Sequence, residues 1–126
     1  MTVFLSVETV IGLHDSESSA PLEDRGKLEG AVGRPSSGFD GHLVHVSIWA
    51  QASALMHGID QAQAFQDGNK RTAWLATDTF LRRNGLRIMS MSKEEMVKHS
   101  EDVASHEHSE LSTALWLSQH CIPFEL

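Results

Sequence analysis

The chain has 126 residues, 40% of them hydrophobic and 21% charged, which predicts a single domain with one core. A net charge of −7 and a pI of about 5.5 leave no basic footprint for direct nucleic-acid binding. With no apolar run of the roughly 18 residues that a membrane span needs, no basic leader in MTVFLSVETVIGLHDSE and a lone Cys121, no membrane and a cytoplasmic location are expected.

Tyrosine is absent and no alternating pattern runs for long, so the chain reads as mostly helical. Ser6 is a predicted N-cap for a first helix through Val7, Val10, Ile11 and His14. A polar loop over 15–22 follows, then a second helix over 24–32 that Gly33-Arg34-Pro35 stops. Ser36 to Gly41 is flexible in composition, with Phe39 as an exposed aromatic. The pattern from His42 to His57, with Val44, Ile48, Ala52 and Leu55 on one face and Leu43, Val46, Trp49 and Met56 beside them, predicts a buried helix ended by Gly58. A further helix starts near Asn69 or Lys70, continues through Ala73, Ala76, Thr77, Phe80 and Leu81, and stops at Arg82-Arg83-Asn84-Gly85. Leu86 to Met91 is a short extended segment, and Ser92-Lys93-Glu94-Glu95 is a capping box for a fifth helix. Ser109 opens a sixth, with Leu111, Ala114, Leu115 and Leu117 as its apolar side, and Trp49, Trp74 and Trp116 are expected in the core.

The segment Gln63-Ala64-Phe65-Gln66-Asp67-Gly68-Asn69-Lys70-Arg71-Thr72 joins the two central helices. Gly68 before a helix start presents free backbone N–H groups, the ingredients of an anion site. Lys70 and Arg71 put cations at the end of a helix where the dipole favours acids, and a phosphate that neutralises both explains them. Asp67 is a carboxylate suited to Mg²⁺, which takes one or two carboxylates plus phosphate oxygens. A plain exposed loop and helix start accounts for the same residues.

The order of these residues resembles the Fic/Doc signature H-x-F-x-(D/E)-(A/G)-N-(G/K)-R. Phe65, Asp67, Gly68, Asn69, Lys70 and Arg71 match in register, and Gln63 stands where the signature has histidine. Gly12-Leu13-His14-Asp15, Asp24-Arg25-Gly26, Gly33-Arg34-Pro35 and Phe80 to Gly85 are similar to further landmarks of the family. The resemblance implies an all-α, compact single domain of about six helices over 1–126, with a short flap and the motif loop between two buried central helices. Members with glycine in place of Lys70 typically transfer AMP, whereas the lysine form is similar to the Doc branch. That branch implies a toxin that transfers the γ-phosphate of ATP to a threonine of elongation factor Tu and halts translation.

Carried over by resemblance, position 63 is the general base and Phe65 a buried anchor. Asp67 is the Mg²⁺ ligand, and Gly68 and Asn69 form the turn and anion nest. Lys70 and Arg71 neutralise the phosphates, with Thr72 at the helix start. Gln63 cannot take a proton as imidazole does, so this copy is expected to bind ATP and Mg²⁺ yet transfer poorly. The alternatives are a Fic-type AMP transferase and a Fic-fold binding protein without chemistry. The family further implies a flap, here Pro35 to Asp40, that aligns the target peptide by strand addition, although a plain loop also fits that stretch. A Phd-type antitoxin is implied as partner, its C-terminal tail in a hydrophobic groove for which the first helix and Arg34-Pro35 are candidates. Of eight histidines, His42 and His45 share a predicted helix and His106-Glu107-His108 cluster, but zinc-site spacing is missing; His14 is expected to be structural.

Overall fold

A computed structural model of the chain describes residues 1–104 and 109–125. Among the described residues six α-helices carry the fold: α1 (Val7–Asp15), α2 (Arg25–Gly33), α3 (Ile48–Ala62), α4 (Asn69–Arg83), α5 (Lys93–Ala104) and α6 (Glu110–His120). Two small antiparallel pairs complete it, β1 (Gly38–Phe39) with β2 (His42–Leu43), and β3 (Leu86–Ile88) with β4 (Cys121–Pro123). The cluster His106-Glu107-His108 lies outside the described residues.

Local chemistry sets most helix starts. The Ser6, Asp24, Ser47 and Ser109 side chains each accept a hydrogen bond from the backbone N–H three residues on, and Ser92 does the same for Glu95. α4 is the exception, since Gly68 opens it with no side-chain cap. At its other end Arg82 and Arg83 occupy the last turn, and Asn84 donates to the Phe80 carbonyl at 2.8 Å.

α3 is the centre, packed against α2, α4, α5 and α6, with every residue from Gln51 to Asp60 buried. Most of its buried polar groups find partners: Ser53 Oγ donates to the Glu110 carbonyl at 2.6 Å, His57 Nε2 meets Thr113 Oγ1 at 2.9 Å, and Gln51 Nε2 donates to the His45 carbonyl at 3.0 Å, while Gln51 Oε1 has none. Leu28, Ala52, Leu55, Ile59, Phe65, Ala76, Phe80, Leu81 and Leu117 form the core around it. The three tryptophans are partly buried and lie against that core, Trp74 tilted on Trp116 with ring centroids 6.0 Å apart. Burial, with Asp78 adding to it, pushes the Cys121 thiol up to about 11, which makes it a poor nucleophile at neutral pH.

The structure corrects the sequence reading in four places. The central helix covers Ile48–Ala62 and not 42–57, because Asp40 and Gly41, both at positive φ, close a two-residue hairpin that claims His42 and Leu43 as a strand. Leu43, Val44 and Val46 are therefore exposed, and His42 and His45 share no helix. Gly58 does not end the helix; a Cβ there would come within 3.1 Å of Arg34 and 3.2 Å of the Ala31 carbonyl, so its role is the close approach of α2 to α3. On α6 the buried residues are Thr113 and Leu117, while Leu111 and Leu115 are exposed; β4 also continues the chain beyond the last helix to pair with β3.

Candidate phosphate-binding site

α3 ends at Gln63, whose backbone is left-handed at φ 50 and ψ 43, and the chain turns there away from the helix axis. A non-glycine residue in this region costs about 1–2 kcal/mol, and the structure around it holds the conformation. The Gln63 amide donates to the Asp60 carbonyl at 2.6 Å, and its Oε1 lies 3.5 Å from Asn69 Nδ2. Position 63 thus closes the C-terminus of α3 with its own side chain.

Phe65 is 2% exposed and anchors the loop. Its backbone is bracketed by Asn69, which accepts from the Phe65 N–H at 3.1 Å and donates to the Phe65 carbonyl at 2.8 Å. The Asn69 amide is consequently spent on the loop frame, and its share in an anion nest falls to its backbone. From the other side, the segment between α1 and α2 grips the same arc. Leu22 forms a β-bridge with Phe65, Gln66 N–H donates to the Pro21 carbonyl, and Glu23 and Asp24 N–H donate to the Ala64 carbonyl.

Gly68, at φ 84, has a left-handed backbone that no side chain relieves, and a Cβ there would meet the His14 ring at 3.3 Å. His14 is fully buried and its ring stacks on Phe65 with centroids 3.7 Å apart and planes 8° from parallel. Its Nε2 lies 2.9 Å from the Asp67 carbonyl and its Nδ1 2.9 Å from Asp15 Oδ1. Both partners are acceptors, so each ring nitrogen satisfies its contact only by donating.

These elements enclose a cavity of about 470 Å³, lined by His14, Glu17 and Ser18 from the first segment and by Gln63, Gln66 and the run Asp67 to Thr72 from the second. Lys70 and Arg71 are exposed on its wall, Thr72 is buried beneath, and the α4 N-terminus faces it without a cap. Helix dipole, uncapped amides and two cations converge at one point, the arrangement that holds an oxyanion. Arg71 Nη1 lies 3.4 Å from Glu17 Oε2, an ion pair between partly exposed groups that an incoming anion would displace. Asp67 turns Oδ1 back onto the Gly68 N–H at 2.8 Å, which leaves lone pairs of an exposed carboxylate for a cation. Among the described residues no three His, Cys, Asp or Glu side chains gather as a metal set, so a Mg²⁺ at Asp67 depends on phosphate oxygens for the rest of its shell. A second cavity of about 570 Å³ between α4 and α5, walled by Trp74, Leu75, Met91 and Met96, shares Glu17, Lys70 and Arg71 with the first.

The structure brings together every motif residue singled out in the sequence and adds Glu17 and Ser18, which lack a sequence signal because only the fold of the α1–α2 segment carries them to the motif. His14 was visible solely as part of a family landmark. At the segment Arg34-Pro35, Arg34 donates to the Ala54 carbonyl at 3.0 Å and pairs with Glu110 at 2.6 Å, and Pro35 is buried. Among the described residues no helix is long and apolar enough to cross a membrane.

Residues 4–81 match the profile of the Fic/DOC family. Over 90 residues the chain is 37% identical to "Toxin Doc" of Mycolicibacterium smegmatis, an alignment that covers 70% of this chain and 69% of that protein.

Proposed function

This chain belongs to the Fic/DOC family, and from that premise we propose that it is the toxin of a toxin–antitoxin pair, built to transfer the γ-phosphate of ATP to a threonine of elongation factor Tu and impaired by Gln63. The observation that carries this reading is the convergence of Lys70, Arg71 and the uncapped start of α4 on one cavity with Asp67 at its edge. The similarity to a protein named Toxin Doc supports the toxin role, and the lysine at position 70 supports phosphate over AMP transfer.

Phosphoryl transfer depends mainly on positioning and charge neutralisation, and the chain supplies both. Lys70 and Arg71 offset the charge of the phosphates, Arg71 with a planar guanidinium that can take two oxygens at once. The amides at the start of α4 hold a further oxygen. Mg²⁺, held by Asp67, would supply additional positive charge to the phosphates when bound. Phe65, Asn69 and His14 keep the loop backbone in a fixed shape, so only the Arg71–Glu17 pair must open as the anion enters.

Position 63 lies at the end of α3 on the cavity wall, where a side chain can face an acceptor hydroxyl. A carboxamide accepts no proton at neutral pH, and its N–H here is already committed to Asp60. General-base catalysis contributes about 10²–10⁴-fold, so transfer falls by that factor while anion binding persists. A binding protein without chemistry is the second reading, favoured by the same Gln63.

The partners proposed are a Phd-type antitoxin and elongation factor Tu, met in the cytoplasm, with the hairpin β1–β2 adding a strand to the target peptide. Growth on induced expression, this chain against Gln63→His and each with and without the antitoxin gene, tests the whole reading. Arrest by the histidine form, relief by the antitoxin and γ-phosphate on elongation factor Tu are the expected results. AMP on the target would move the chain to the other branch, and harmlessness of both forms would leave the binding protein.

A further inference from the structure

His14 fills a site in the core that an aromatic hydrocarbon could fill as well. It is fully buried and flat against Phe65. Burying an imidazole without partners is costly, and this one has two. The second partner is the instructive one. Nε2 does not reach a side chain but the backbone carbonyl of Asp67, 53 positions away, in the peptide that leads into Gly68 and α4.

A peptide unit is planar, and in the trans form its C=O and N–H point in opposite directions. Among the described residues every peptide bond is trans. Fixing the Asp67 carbonyl towards His14 therefore fixes the Gly68 N–H on the opposite side, where it donates to Asp67 Oδ1 at 2.8 Å. The direction of the Asp67 carboxylate is thus set by the plane of its own peptide, and that plane by His14. Asp15 Oδ1 holds the ring from behind at 2.9 Å, which leaves the imidazole one orientation. The His14 carbonyl also accepts from Glu17 and Ser18 N–H, both at 3.0 Å, so the same residue places the partner of Arg71.

We propose that His14 is a positioning residue of the phosphate site, acting through the Asp67–Gly68 peptide to aim the Asp67 carboxylate and the first amides of α4. The proposal rests on the phosphate-site reading above. It assigns to His14 a role in ligand geometry separable from its role in packing, because ring shape and hydrogen bonding can be removed one at a time.

His14→Phe keeps a flat ring for Phe65 and loses both hydrogen bonds; His14→Gln loses the ring and keeps an N–H for the Asp67 carbonyl. Calorimetric titration of the full chain with inorganic tripolyphosphate and Mg²⁺, below the melting temperature of every variant, reads the site without any transfer reaction. His14→Phe should weaken tripolyphosphate on the order of 10-fold, and His14→Gln should recover most of that loss. Thermal melts should rank the two in reverse, with the phenylalanine variant nearer the parent. If binding and melting rank the variants alike, or if His14→Phe binds as the parent does, the positioning role is wrong and the phosphate reading stands. If the parent itself does not bind tripolyphosphate, the phosphate reading falls and the role of His14 with it. Should a variant fail to fold, imidazole ¹⁵N NMR of the unmodified chain decides. A protected Nε2–H that shifts on adding tripolyphosphate supports the proposal, and a bare Nε2, or one indifferent to the anion, overturns it.

Discussion

The motif loop over 63–69 and the hairpin over 38–43 flank the same central helix, yet they are held in opposite ways. The loop is fixed from three sides: Phe65 buried in the core, Asn69 bracketing its backbone, and the α1–α2 segment bonding to Ala64, Gln66 and Asp67. The hairpin relies on its own two-residue turn and short ladder, and every residue from 36 to 44 is exposed, Phe39 at 86%. A site that must meet a small anion gains from a frame fixed in advance. A segment that must meet another protein gains from apolar side chains and an unpaired edge left available. The contrast teaches that preorganisation is concentrated where the charges converge.

Substitutions at four positions break or sharpen this contrast. Phe65→Ala should be the most damaging, at about 3–5 kcal/mol for a large buried aromatic, measured by chemical denaturation; a cost under 1 kcal/mol would mean the loop is not anchored as described. Asn69→Ala follows at about 2–3 kcal/mol, since it strands the N–H and carbonyl of Phe65 in a buried place. Asn69→Asp, which keeps the acceptor for the N–H, should cost less in the same experiment. Glu17→Gln frees Arg71 from a partly exposed ion pair worth at most about 1 kcal/mol. Tripolyphosphate should then bind about two- to fivefold more tightly by calorimetry, and weaker binding would show that Glu17 assists the anion. Phe39→Ser should change stability by no more than about 0.5 kcal/mol. In the Gln63→His background it should raise the KM for the protein target and leave tripolyphosphate affinity alone, whereas a loss of anion affinity would tie hairpin and loop together.

Elements whose signals are local could be read before the fold was known. Ser6, Ser92 and Ser109 cap the helices they were expected to open, and Arg82 to Gly85 end α4 as basic last-turn residues followed by Asn-Gly do. The hairpin was missed because Val44 and Val46 fit a helical period as well as they fit an exposed loop, and the positive φ at Asp40 and Gly41 outweighs that pattern. Gly58 misled for a related reason. Its propensity says stop, and the packing of α2 against α3 says close approach.

By itself the sequence determined which groups the candidate site gathers: Asp67, Lys70 and Arg71 beside a glycine at a helix start, with Gln63 where a base is expected. Those residues are neighbours along the chain, so their conjunction survives any uncertainty about the rest of the fold. Only the tertiary structure decided what holds them. His14, Glu17 and Pro21 lie some fifty positions upstream and reach the motif because α1 packs on α4 and the segment after α1 pairs with Phe65 and Gln66. Contacts of that separation leave no period or spacing in the sequence, because they are set by how helices pack and by where a buried carbonyl must find its donor.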